Sequence, residues 1–320
     1  MIELSIVIPV FNEEENLPEL LDRCLVTCRK IGRSFEIILV DDGSRDRSRE
    51  ILARNADQHP EVVAVILNRN YGQHAAVFAG LAQSRGETIV TLDADLQNLP
   101  EDIPRLLDQI ENGADVVGTM RADRHDTFFR RTVSKVNNYI IQKATGVKMH
   151  DYGCMLRAYR RPVVDAMLQC KEHSTFIPVL ANTFASHVVE IPVDHAPRRN
   201  GTSRYDIMKL IMLEFDLLTS MSTLPLRMLT FLGIVSFLCG AGLGGLLIVL
   251  RLMYGAGWAG DGVFTVFAIL FIFVGAQFFG LGLLGEYIGR IYHDVRSRPR
   301  YFVQEVRGQQ DDSVATTGSC

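Results

Sequence analysis

Two runs of the sequence, Leu229–Leu250 and Val263–Gly285, contain no charged side chain. Each exceeds the ~20 residues a helix needs to cross the hydrocarbon core of a bilayer. A core helix of a globular domain is shorter and keeps charge on its outer face. The pattern therefore predicts two transmembrane helices within 229–289. Arg227 precedes the first run and Arg251 closes it, while Arg290, Arg296, Arg298 and Arg300 follow the second. By the positive-inside rule both the residues before the runs and the tail 290–320 are expected in the cytoplasm. The short Gly-rich periplasmic loop between the runs holds the only Trp, Trp258, and a lone charge, Asp261. Gly240, Gly242, Gly244 and Gly245, with Gly275, Gly280, Gly282 and Gly285, would let helices approach closely, within the chain or in an oligomer.

Hydrophobic content of 48% and a positive mean hydropathy are high for a purely soluble enzyme, and the apolar excess begins after Leu226. A net charge of −4 gives no bulk electrostatic attraction to nucleic acid, so no nucleic-acid partner is expected. Six cysteines (Cys24, Cys28, Cys154, Cys170, Cys239 and Cys320) show no paired metal spacing and read as reduced thiols in a cytoplasmic setting. Cys24 and Cys28 fall on a helical pattern as core filler. Met1-Ile2-Glu3 runs into a strand without a basic region, so no signal peptide is expected.

Ahead of the apolar runs, strand and helix patterns alternate. Leu4–Ile8 reads as a strand ended by Pro9; Glu36–Val40, Val62–Leu67, Thr88–Leu92 and Asp115–Thr119 read as further strands. Asn16-Leu17-Pro18-Glu19 has the capping-box pattern before a helix to about Ile31, and Asn98-Leu99-Pro100-Glu101 repeats it before a helix to about Asn112. Asp46–Gln58 reads as a helix, and Asn70-Tyr71-Gly72-Gln73-His74 as a turn opening another. This alternation predicts an α/β domain with a parallel sheet covered on both faces. Phe128–Ala144 is amphipathic and basic, suited equally to a membrane surface or to the sheet. Asp206–Ser222 is more apolar and suits the membrane interface. The domain reading is a cytoplasmic catalytic domain 1–206, an interfacial helix 207–228, two spans within 229–289 and a tail 290–320, polar and disordered from Gly308.

The carboxylates sit where the strands stop. Asp93 and Asp95 follow Thr88–Leu92 at i, i+2 spacing, so both can serve one hard cation, and oxygen ligands suit Mg²⁺ or Mn²⁺. Asp41-Asp42-Gly43-Ser44 ends the second strand on the same expected sheet edge, where open α/β sheets bind ligands. Two acidic turns on one edge suggest a nucleoside-diphosphate and metal site. Asp41 could accept hydrogen bonds from a base or ribose, while Asp95, with Asp93 or Gln97, would hold a cation bridging two phosphates. His74 is expected at a helix N-terminus in hydrogen-bond contact with a loop; His150, His173 and His195 have no metal spacing.

Ile8-Pro9-Val10-Phe11-Asn12-Glu13, the Asp41–Ser44 turn, Asn70-Tyr71-Gly72 and Asp93-Ala94-Asp95-Leu96-Gln97 together resemble the family 2 glycosyltransferases of GT-A (Rossmann-like) fold. Asp151 to Arg157 with Tyr159-Arg160-Arg161, then Arg198-x-x-Gly201-x-Ser203-Arg204-Tyr205 and two spans, are similar to the polyisoprenyl-phosphate glycosyltransferases among them. Asn68–His74, Asp151–Arg161 and Ser174–Pro178 most resemble the bacterial undecaprenyl-phosphate 4-deoxy-4-formamido-L-arabinose transferases, and the resemblance runs from about Leu4 to Val306.

The resemblance implies inverting transfer of 4-deoxy-4-formamido-L-arabinose from its UDP donor to undecaprenyl phosphate, for lipid A modification and polymyxin resistance. It implies the bacterial inner membrane and a homo-oligomer, as in tetrameric relatives. By position it implies that Pro9, Glu13, Asp41 and Asp42 serve the nucleotide and that Asp93, Asp95 and Gln97 surround the metal. Arg121 with Arg130 or Arg131 would bind the lipid phosphate, and Arg198, Ser203 and Arg204 the donor diphosphate. Acceptor phosphate and donor diphosphate bring about four negative charges together, and arginine's planar fork suits phosphate oxygens. Two positions depart from the family: Arg204 stands where Lys is usual, and Met155 where some relatives carry an acid. The acceptor phosphate has a second pKa of about 6 and is largely deprotonated at neutral pH, so Asp151 is expected to position rather than accept a proton.

Three alternatives differ in what they would require. A processive polysaccharide synthase would carry a Gln-x-x-Arg-Trp segment, which is absent here. An undecaprenyl-phosphate glucosyl- or mannosyltransferase would share every motif, because none of them reads the sugar. A non-catalytic, membrane-tethered nucleotide-binding module would not need the double acidic edge and the arginines together.

Overall fold

The computed structural model describes residues 2–121, 154–170, 176–193, 224–254, 263–295 and 299–308, with only part of the side chains in its last two helices. The chain divides into two units, Met1–Tyr205 with Arg298–Cys320, and Asp206–Ser297.

The first unit is built on eight strands: β1 (Leu4–Val10), β2 (Phe35–Asp41), β3 (Val62–Leu67), β4 (Thr88–Thr91), β5 (Val116–Arg121), β6 (Arg157–Arg160), β7 (Val188–Val193) and β8 (Val303–Arg307). They form one sheet in the order β7-β5-β6-β4-β1-β2-β3-β8. Pairing is parallel for β1 with β2 and β4, β2 with β3, and β5 with β7. It is antiparallel for β6 with β4 and β5, and for β8 with β3. The expected all-parallel sheet is therefore mixed. The two reversed strands come from segments outside the regular strand–helix alternation, one of them the supposed tail.

Helices α1 (Leu17–Ile31), α2 (Ser48–Gln58), α3 (Gln73–Gln83), α4 (Ile103–Glu111), α5 (Arg161–Gln169) and α6 (Ile177–Phe184) belong to the same unit. Successive strand residues face opposite ways, so the apolar runs feed two cores. Ile6, Ile8, Ile37 and Leu39 join Leu17, Leu20, Leu21, Leu106 and Ile110 on one side. Val7, Ile38, Val40 and Val65 join Val77, Phe78, Val164 and Leu180 on the other. The coverage of both faces agrees with the expectation. Gly80 lets α3 press on the sheet, because a Cβ there would lie 2.3 Å from Val7 Cγ1.

Several boundaries correct the sequence reading. Pro9 lies inside β1, not at its end, paired in register with Val40. The β1–β4 pairing stops at Val7–Thr91, so the missing N–H faces a side with no ladder to break. Neither capping box forms. Asn16 is helical itself and gives no cap hydrogen bond; its amide Nδ2 donates to Glu13 Oε2 at 2.6 Å instead. After Asn98 a 3₁₀ turn, Pro100–Asp102, precedes α4, and Glu101 accepts from Arg23. Cys24 and Cys28 are buried free thiols, the core filler expected, and burial pushes Cys28 up to about 12.

The second unit contains α7 (Leu224–Tyr254) and α8 (Val263–Val295), of 31 and 33 residues. The uncharged runs Leu229–Leu250 and Val263–Gly285 lie inside them. Among the described side chains of these helices no stretch is long and apolar enough to cross a membrane. The amphipathic segments 128–144 and 206–222 lie outside the described residues, as does the tail beyond Gly308.

Candidate active site

β1 to β4 run in one direction, so their C-terminal ends present four loops at one sheet edge. A cavity of about 450 Å³ opens there, lined by Pro9, Val10, Phe11 and Glu13 after β1, Asp42 after β2, Asn70, Gly72 and Gln73 after β3, and Asp93, Ala94, Asp95 and Gln97 after β4. The structure thus brings Pro9, Glu13, Asp42, Asp93, Asp95 and Gln97 to one cavity wall. Asp41 is 1% exposed and is not among the lining residues. Its Oδ1 accepts the Ser44 N–H at 3.1 Å, closing the acidic turn on itself.

Hydrogen bonds from backbone to side chain stitch the first two loops together. Asn12, at φ 55°, donates its N–H to Ser44 Oγ at 3.0 Å, and its Oδ1 accepts the Arg45 N–H at 2.8 Å. The N–H of Glu13 donates to Ser48 Oγ, and that of Glu14 to Asp46 Oδ2. The second and third loops meet at Asp42, whose carboxylate accepts the N–H groups of Tyr71 at 2.7 Å and Gly72 at 2.9 Å. Burial raises the Asp42 pKa, those two hydrogen bonds oppose the rise, and Asp41 adds to it. Gly43 makes this junction possible. Its φ is +71°, and a Cβ would stand 2.5 Å from the Arg69 carbonyl carbon, so only glycine satisfies both the backbone and the space.

The fourth loop is held from two sides. Gln73 Nε2 donates to Asp93 Oδ1 at 2.6 Å, and Asp95 Oδ1 accepts the Gln97 N–H at 3.1 Å. Leu96 between them is left-handed, at φ 58°, which costs a leucine about 1–2 kcal/mol and belongs to the strained geometry that clusters at functional sites. Behind the loop, buried Asn98 accepts from Cys154 Sγ at 3.4 Å; that sulfur also meets Thr119 Oγ1 at 2.8 Å. Thr91 Oγ1 donates to the Met155 carbonyl at 2.6 Å. These bonds tie the acidic loop to β5 and to the approach to β6.

The donor set can be tested against a divalent cation. Among the described residues no group of three or more His, Cys, Asp or Glu could hold a metal. Asp93 and Asp95 line one wall with Gln97, giving two carboxylates and an amide, all oxygen donors. Mg²⁺-like ions use one or two carboxylates and take further ligands from water and substrate phosphates. The residues fit such an ion.

Arg121 ends β5, which runs in the direction of β4, at the same sheet edge. Arg130, Arg131, Asp151, Arg198, Ser203 and Arg204 lie outside the described residues. His74 departs from expectation: its Nδ1 is buried without a hydrogen-bond partner, its ring stands edge-on to Phe176 at 5.4 Å, and burial lowers its pKa. A smaller cavity of about 210 Å³ lies beside it, lined by Tyr71, Phe78 and Arg300 among others. Phe11, Asn70 and Gln73 line the main cavity without having been assigned a role from sequence. Their signal was position alone, since all three stand in motifs already noted at strand ends.

Residues 5–168 match the model of Glycosyl transferase family 2. The undecaprenyl-phosphate 4-deoxy-4-formamido-L-arabinose transferase of Photorhabdus laumondii subsp. laumondii is 60% identical over 308 residues, 96% of this chain and 94% of that protein. The transferase of the same name from Pectobacterium atrosepticum is 61% identical over 303 residues, 94% and 93% of the two chains. Among solved structures, the glucosyl-3-phosphoglycerate synthase of Mycobacterium tuberculosis in complex with Mn²⁺ and UDP-glucose has a TM-score of 0.48 at 20% identity, over 68% of this chain and 77% of that one.

Proposed function

Because the chain belongs to glycosyl transferase family 2 and, within it, to the undecaprenyl-phosphate 4-deoxy-4-formamido-L-arabinose transferases, we propose that it moves 4-deoxy-4-formamido-L-arabinose from UDP to undecaprenyl phosphate. The observation that carries the reading is the single cavity lined by Glu13, Asp42, Asp93 and Asp95, in a chain about 60% identical to those transferases over nearly its whole length.

Pro9 and Glu13 line the cavity where the uridine would lie, with Phe11 beside them and Asp41 buried behind the wall. Asp42 serves the nucleotide through the turn it holds, since its carboxylate is engaged with two backbone N–H groups. Asp93, Asp95 and Gln97 would hold Mg²⁺ or Mn²⁺. When bound, that ion offsets the charge that develops on the leaving diphosphate. Arg198, Ser203 and Arg204 are assigned to the donor diphosphate, and Arg121 with Arg130 or Arg131 to the acceptor phosphate. The acceptor oxygen is ionised near neutral pH, so in-line attack needs orientation more than a base. Asp151 orients, and the anomeric carbon inverts.

The lipid acceptor calls for a membrane. α7 and α8 are proposed to cross the bacterial inner membrane, with the first unit on the cytoplasmic side. Support comes from the two uncharged runs and from Phe231, Leu238, Leu252 and Phe278, each more than 60% exposed. Apolar surface on that scale marks contact with lipid or protein.

The test is transfer by purified protein in detergent with Mn²⁺ and undecaprenyl phosphate, offering UDP-4-deoxy-4-formamido-L-arabinose beside UDP-glucose. Product from the formamido sugar alone, abolished by Asp95→Ala, is expected. Product from UDP-glucose would keep the reaction class and overturn the sugar. No lipid product from either donor would overturn the transferase reading.

A further inference from the structure

Gln73 is the first residue of α3 and lies on the cavity wall. Its Nε2 reaches Asp93 Oδ1 at 2.6 Å, across the gap between the loop after β3 and the loop after β4. The corner that carries Gln73 is itself fixed, because Asp42 accepts the N–H groups of the two residues before it. The two acidic turns are thereby joined in series, Asp42 to the Tyr71–Gly72 backbone, then Gln73 to Asp93.

We infer that Gln73 is a positioning residue for the metal site: its amide fixes the rotation of the Asp93 carboxyl so that one oxygen, not both, turns to the cation. This rests on the reading that a divalent cation sits at Asp93 and Asp95. An amide is suited to the task. It donates to one carboxylate oxygen, carries no charge to compete for the ion, and comes from a helix start rather than a mobile side chain on the acidic loop itself. Partners that orient a ligand from outside its coordination shell typically hold about 10–100-fold of metal affinity. The same linkage makes the nucleotide side of the cavity and the metal side move as one piece, since displacing the 70–73 corner displaces both.

The experiment is direct Mn²⁺ binding to the full chain in detergent with saturating UDP, read from the electron paramagnetic resonance signal of free Mn²⁺. Gln73→Met, which keeps length and loses the donor, should weaken Mn²⁺ about 10-fold at unchanged melting temperature. Gln73→Glu, which keeps the shape of the side chain but replaces the donor with an acceptor that repels Asp93, should weaken Mn²⁺ as well. Wild-type Mn²⁺ affinity in Gln73→Met overturns the inference, and so does wild-type or higher affinity in Gln73→Glu, because the shape of the side chain without its donor would then suffice. Failure of the wild type to bind Mn²⁺ with UDP overturns the metal reading itself, and the inference with it. Should Gln73→Met not fold, Gln73→Glu decides alone: weaker Mn²⁺ binding supports the inference, and unchanged or tighter binding overturns it.

Discussion

The carboxylate of Asp42 accepts the backbone N–H of Gly72 at 2.9 Å, across 30 positions of sequence. Together with the bond from Tyr71 it converts an acidic residue of one turn into the floor of the next. Asp42→Ala would leave two inward N–H groups without a partner, each worth about 1–3 kcal/mol when buried. The expected outcome is a lower urea midpoint and weaker UDP binding together, measured by denaturation and calorimetry. Asp42→Asn, which keeps one acceptor oxygen, should fall between. UDP affinity equal to wild type in Asp42→Ala would show that the turn is held by other means.

The opposite end of the sheet predicts a contrasting result. Glu36 is 2% exposed and accepts from Ser5 Oγ at 2.6 Å and from Arg85 N, Nε and Nη2 at 2.7, 3.0 and 2.8 Å. Ser5 Oγ in turn accepts the Gly86 N–H. The Arg85 side chain is 40% exposed, so the guanidinium left behind stays hydrated, and the loss is that of hydrogen bonds to a charged group, about 1.5–3 kcal/mol. Glu36→Gln is therefore expected to lower stability by about 1.5–3 kcal/mol while leaving the donor KM of the folded protein unchanged, because no residue lining the cavity belongs to this network. A shift in KM without loss of stability would contradict that separation.

How much of this was legible beforehand depends on what each element answers to. Val62–Leu67 is legible to the residue, because an apolar run is a local signal, whereas the turn Asn70–His74 signals a following helix without fixing its first residue, Gln73. The capping boxes misled, since Asn16 and Glu101 found stronger partners in Glu13 and Arg23. β8 lies in what the sequence presents as a tail: Val-Gln-Glu-Val-Arg is too short and too charged to announce a strand, and it exists because β3 offers an open edge. Arg300 just before it lies over the Phe78 ring at 4.2 Å, a contact between residues more than 200 positions apart that no local pattern encodes. Site residues showed the same divide. Asp93 and Asp95 announced themselves by chemistry at a strand end, whereas Gln73 matters only through what it meets.

Glu101 supplies a pH test. Its carboxylate accepts from Arg23 Nε at 2.9 Å and Nη2 at 2.7 Å, a two-pronged pair tying α1 to the 3₁₀ turn before α4. The hydrogen bond from Arg23 lowers the Glu101 pKa, against the opposing effect of partial burial. A carboxylate lowered in the folded state stabilises at pH above its ordinary value of 4.5, and that contribution is lost as pH falls through the folded value. With 52% of the Glu101 side chain exposed, the pair contributes no more than about 1 kcal/mol. Glu101→Gln should therefore melt slightly below wild type at neutral pH, and the gap should close as the pH is taken well below the ordinary carboxylate range. Salt at about 1 M, where screening acts within roughly 3 Å, should close it as well. A gap that persists in acid would assign the Glu101 contribution to packing rather than to charge.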